Sequence, residues 1–94
     1  MSVDTKAQVN AAVQLLKGVA DPTRLKVLLH VQDGGKNVTE ICDMLGMSQP
    51  AVSHHLSIMR LTGLLEATRT GRFVLYELTQ KGSELAAFVT KFAV

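Results

Sequence analysis

Between positions 48 and 57 stand Ser48, Gln49, Ser53, His54 and Ser57, all hydrogen-bonding groups without charge at neutral pH. On a helix over 49–62, Val52, Leu56 and Met59 follow the i, i+4, i+7 spacing of a buried stripe, which leaves Gln49, Ser53, His54 and Ser57 on the outer side. Such a face lacks the large apolar groups that grip another protein. It suits base edges in the major groove of double-stranded DNA, where Gln makes a paired contact to adenine and Ser or His reaches a base or a phosphate. Arg60, toward the end of the same helix, is placed to touch phosphate, and Arg69 and Arg72 to reach the flanking backbone or the minor groove. Between Met47 and Arg72 three Arg stand against one acid, Glu66, so this stretch carries a balance of +2, equal to that of the whole 94-residue chain. The exposed N–H groups at the start of the helix also favour an anion.

Each residue has a plainer role as well. Ser48 caps its helix with or without a nucleic acid. Gln49 and Ser53 serve equally as solvated surface, and Arg69 and Arg72 as turn charges. His54 and His55 are consecutive, so they diverge by about 100° around the helix axis and cannot share one metal. His54 looks outward, and His55 lies nearer the core edge, within reach of a structural hydrogen bond.

The elements that must hold these side chains follow from periodicity and punctuation. A helix over 7–20 carries Val9, Ala12, Val13, Leu16 and Val19 on one stripe and Ala7, Ala11 and Leu15 on a second, so it needs two apolar partners. Asp21 and Pro22 open a helix over 22–32, with Leu25, Leu28, Leu29 and Gln32 at helical spacing. Thr39 is expected to cap a short helix from Glu40 to Leu45, buried through Ile41, Met44 and Leu45 and ended by Gly46 in a left-handed conformation. A turn of about three residues then leads to the helix opened by Ser48. After Gly63 the period drops to two, giving strands over 64–69 and 73–79 around Thr70-Gly71, with Val74, Tyr76 and Leu78 on one face. A last helix runs from Gln80, with Leu85, Phe88, Val89 and Phe92 on one face and Ala86, Ala93 and Val94 beside it. The expected fold is mainly α (α+β): a single winged helix-turn-helix domain over 1–94, about five helices and a two-stranded β-hairpin wing.

Other classes are poorly served. One cysteine excludes a disulfide framework and a multi-thiolate metal site within one chain. No stretch reaches the roughly 18 apolar residues of a membrane span, and the N-terminus lacks the apolar core of a secretory signal, so a cytoplasmic protein is expected. There is no Gly-rich phosphate loop, no Ser-His-Asp set and no His-Glu-x-x-His, so no enzyme is expected.

The segments ADPTRLKVLLHV (20–31), VTEICDMLGMSQPAVSHHLSIMRLTGLL (38–65) and RTGRFVLYEL (69–78) resemble the ArsR/SmtB-like family of small winged-helix repressors. The resemblance implies a homodimer joined through the first and last helices, bound to an operator in a promoter and released by a signal. Two-fold symmetry then calls for an inverted-repeat operator, its half-sites about 10 bp or a multiple of that apart. Metal-sensing members carry paired cysteines before the turn, or His and carboxylate ligands in the last helix. Here NVTEICDML offers Cys42 alone, with Asn37 and Thr39 about where paired cysteines belong. QKGSELAAFVTKFAV has no His or Cys and one acid, Glu84. Neither a regulatory metal nor a cofactor is expected, and Cys42 reads first as a small buried apolar residue, with a reversible single-thiol modification as the alternative. The rival reading is a winged-helix protein-interaction module whose apolar terminal helices bind another protein, with DNA contact incidental.

Overall fold

A computed structural model describes residues 5–92. The elements run α1 (Lys6–Val19), α2 (Pro22–Val31), α3 (Val38–Leu45), α4 (Gln49–Leu61), β1 (Leu65–Thr70), β2 (Phe73–Leu78) and α5 (Gln80–Phe92). Ala93 and Val94, assigned to the last helix from sequence, lie outside the described residues.

Local chemistry sets the helix boundaries. The Asp21 carboxylate accepts from the Thr23 and Arg24 N–H groups at 2.9 and 3.1 Å, and Pro22, which has no N–H to satisfy, follows at the first helical position. The start of α3 differs from expectation, because Asn37 and not Thr39 is its cap. Asn37 Oδ1 accepts from the Glu40 N–H at 2.9 Å, and Glu40 Oε1 accepts from the Asn37 N–H at 3.0 Å. This reciprocal box satisfies two orphan donors at once, which Thr39 alone would not do. Gly46 takes the left-handed conformation (φ 64°) and donates its N–H to the Cys42 carbonyl at 2.8 Å.

The core joins Val27, Leu28 and Val31 of α2, Ile41 of α3, Val52, Leu56 and Met59 of α4, the junction residues Leu64 and Leu65, and Ala86 of α5. The buried side of α2 departs from expectation: Leu25 and Leu29 are half-buried and Gln32 is exposed. The reason is that α2 is central, packed against α1, α4, α5 and β2, so spacing alone does not single out its deepest edge. In α3 only Ile41 is fully buried. Leu45 is half-buried and Met44 exposed, as befits an eight-residue helix packed chiefly on α4.

The antiparallel hairpin pairs Leu65 with Leu78 and continues to Thr70 opposite Phe73. Its two-residue loop is therefore Gly71-Arg72, one step beyond the expected Thr70-Gly71. Gly71 holds a φ of 63° at the first central position, where a II′ turn needs glycine. Lys36 adds one bridge to the free edge of β2, exchanging backbone bonds with Tyr76 at 3.1 and 2.8 Å.

Candidate nucleic-acid interface

The candidate interface is built on α4. Val52, Leu56 and Met59 are fully buried, and that anchors the helix along one side. At three fully buried apolar side chains, each contributing on the order of 2 kcal/mol, the seat is firm. Gln49, His54, Ser57 and Arg60 are on other sides of α4, where Gln49, His54 and Arg60 are exposed and Ser57 lines the open groove described below. Ser53 is half-buried, closer to the core than its spacing implies. Ser48 precedes the helix, and its Oγ accepts from the Ala51 N–H at 3.4 Å, which makes it the N-cap.

Arg69 and Arg72 are exposed at the far end of the hairpin. Arg69 pairs with Val74, and Arg72 sits in the turn itself. An open groove of about 530 Å³ runs between α4 and β1, lined by Ser57, Arg60, Leu61, Leu65, Glu66 and Ala67. Helix and wing thus border one continuous depression, with Arg60 inside it.

His55 is half-buried, and its Nδ1 lies 3.2 Å from Arg24 Nη1 and 3.9 Å from Asp21 Oδ2. The structural hydrogen bond open to it in the sequence is present, with Arg24 as a partner that spacing does not reveal. One signal does point to Arg24: a cation in the first turn of α2 opposes the helix dipole and so calls for a local reason. The Arg24 N–H, donating to the Asp21 carboxylate, holds that group below the usual carboxylate range. The Thr23 N–H and the Arg24 guanidinium act the same way, against a partial desolvation that raises it.

Cys42 is half-buried and packs against the core. Among the described residues, no three His, Cys, Asp or Glu side chains converge as a metal site, and no helix is long and apolar enough to cross a membrane.

The terminal helices divide their apolar residues between two sides. Leu15 and Val19 of α1 and Leu85 of α5 pack on the core. Val9, Val13 and Leu16 of α1 remain 49%, 39% and 56% exposed, and Phe88 and Phe92 of α5 57% and 73%. The two phenyl rings contact each other with centroids 4.7 Å apart. Ala7 and Ala11, assigned from sequence to the second stripe of α1, are exposed.

A short helix, a turn closed by a serine cap, a polar-faced second helix and a two-stranded hairpin define a winged helix-turn-helix protein. Residues 21–67, half of the chain, match the family described as "Bacterial regulatory protein, arsR family", and the chain belongs to that family. It is 39% identical over 69 residues to the HTH-type transcriptional repressor SmtB of Mycobacterium tuberculosis, a match that covers 73% of this chain and 51% of that protein. The chain therefore spans about half the length of that relative. Its fold superposes on HlyU from Vibrio cholerae with a TM-score of 0.87 at 28% identity, covering 94% of this chain and 97% of the other. It also superposes on the homodimeric winged helix-turn-helix DNA-binding domain of Mb0332 from Mycobacterium bovis, with a TM-score of 0.87 at 26% identity, covering 99% and 87%.

Proposed function

We propose that this chain is a homodimeric, sequence-specific DNA-binding transcriptional repressor. In this reading Gln49, Ser53, His54 and Ser57 of α4 face base edges in the major groove, and Ser48 at its N-terminus reaches a base or phosphate. Arg60 contacts phosphate, and Arg69 and Arg72 on the wing hold the flanking backbone or minor groove. The single observation that carries the reading is the division of α4: one side is fully buried, while its first and middle turns present Gln49, His54 and Ser57, with the exposed Arg60 and Leu61 confined to its C-terminal end. A protein-binding face would present large apolar groups there, which weighs against an interaction module.

Membership of a family of regulators and the repressor named among the relatives support repression. The exposed apolar sides of α1 and α5 support self-association through those helices within a single domain, and the Mb0332 domain, a homodimer, is a precedent. A two-fold dimer reads an inverted repeat. A repressor acting on genomic DNA would work in the cytoplasm, which is the location this reading proposes.

The test is binding to random duplex DNA across a salt series. Affinity is expected to fall linearly on a log–log plot, with a slope near −0.9 for each phosphate neutralised. Binding that ignores salt, or none, contradicts the proposal.

A further inference from the structure

Arg24 occupies the third position of α2, where its charge is unfavourable to the helix, so its side chain must be held there by something else. Its guanidinium spans three elements. Nε donates to the Gly18 carbonyl at 3.0 Å and Nη2 to the Lys17 carbonyl at 3.3 Å, both in the last turn of α1. Nη1 is 3.2 Å from His55 Nδ1, in the middle of α4. A guanidinium is always protonated and only donates, so Nδ1 is the acceptor and a neutral His55 carries its proton on Nε2.

A second contact between α1 and α4 lies further along. Gly18 packs against Thr62, the C-cap of α4: a Cβ on Gly18 would overlap Thr62 Oγ1 and stand 2.7 Å from Leu64 Cδ1. The buried stripe of Val52, Leu56 and Met59 seats α4, and these two contacts, spaced along its side toward α1, narrow the roll that an apolar seat leaves. Side chains on a helix extend about 5–6 Å from its axis, so a roll of about 10° displaces their ends by about 1 Å. That is enough to spoil the distance and angle of a base hydrogen bond.

We infer that Arg24 and His55 form a joint that fixes the roll of α4 against the end of α1, which makes both of them positioning residues for base reading. The inference rests on the DNA-reading proposal above. Neither residue need touch DNA: His55 is half-buried and turned to α2, while its neighbour His54 is exposed. The joint also connects α1, which carries the exposed apolar stripe, to the helix that reads.

The test has two arms. Nitrogen-15 NMR of the histidine rings in the intact chain, at a pH where His55 is neutral, is expected to show it as the Nε2–H tautomer with a bare Nδ1. The Nδ1–H tautomer would overturn the joint. The second arm measures affinity for a duplex selected from random DNA by the wild-type chain, and for a scrambled duplex. His55→Leu is expected to weaken the selected duplex by about tenfold, part of what one paired base contact supplies, and the scrambled duplex by less than about twofold. His55→Asn, whose Oδ1 stands close to the place of Nδ1, is expected to recover most of the loss. Arg24→Lys keeps the charge but offers one nitrogen for three bonds, and is expected to behave as His55→Leu. Equal losses on both duplexes, or equal binding by the Leu and Asn variants, would overturn the inference. Should His55→Leu fail to fold, the tautomer and Arg24→Lys still decide. A wild-type chain that selects no duplex would defeat the DNA reading, and the tautomer would still report on the joint.

Discussion

Gly82 of α5 rests directly on the carbonyl oxygen of Leu64, at the corner where α4 gives way to the wing. The same oxygen accepts the Thr79 N–H at 3.0 Å, and Thr79 Oγ1 donates to the Gly63 carbonyl at 2.7 Å. The last helix is thereby pinned to the junction between the two proposed DNA-contacting elements. A methyl group at position 82 would overlap the Leu64 oxygen, with Leu78 Cβ a further 3.4 Å neighbour. Alanine gains about 1 kcal/mol over glycine from helix propensity. Overlap with backbone costs more, since the backbone has no rotamer to swing away. Gly82→Ala is therefore expected to lower unfolding free energy by about 1–2 kcal/mol net in a urea titration. A raised midpoint would show that α5 shifts freely.

In the proposed DNA complex the wing arginines act through charge. Arg69→Gln and Arg72→Gln are each expected to weaken selected and random duplexes alike. Each should also make the salt slope shallower by about 0.9 for every phosphate it no longer neutralises. If either substitution changes which sequence is preferred while leaving the slope intact, that arginine reads bases instead.

In the proposed homodimer the exposed apolar sides of α1 and α5 form the interface. Leu16 is 56% exposed and Phe88 57%, so Leu16→Glu and Phe88→Glu leave the core of the chain intact. Each is expected to give a folded monomer in sedimentation equilibrium, with the helical circular dichroism retained. Both variants remaining dimeric would move the dimer interface elsewhere.

Asp21 makes stability depend on acid. Its folded carboxyl titrates below the ordinary value, chiefly because it accepts the Arg24 N–H. The stability this confers is complete above the unfolded carboxyl's range and disappears as pH falls through the lower folded value. Asp21→Asn is expected to flatten the acid side of a stability–pH curve while leaving its neutral side parallel to wild type. An unchanged acid limb would show that the cap bears no charge-dependent load.

Much of the fold is legible in the sequence because it is local. Val52, Leu56 and Met59 announce the buried side of α4 by spacing alone, and Asp21, Gly46 and Ser48 mark helix ends by chemistry that acts within three or four residues. The Asn37 cap is also written locally, as an Asn three residues before Glu40, but Thr39 competes for the same role. The depth of α2 is not legible, since a helix with neighbours on several sides has no unique apolar stripe. Arg24 and His55 are 31 residues apart, and no periodicity connects them. Ser53 shows the same limit on a smaller scale, for its half-burial depends on what packs beside α4 and not on its place in the turn.

The most direct measurement is the affinity of Gln49→Ala/Ser53→Ala for a duplex selected by the wild-type chain, set against a scrambled duplex of the same length. The account predicts a loss of about 1–3 kcal/mol on the selected duplex, the worth of a paired base contact, with the scrambled duplex bound nearly as before. Undiminished preference for the selected duplex would contradict it, because the outer face of α4 would then not be what reads the sequence.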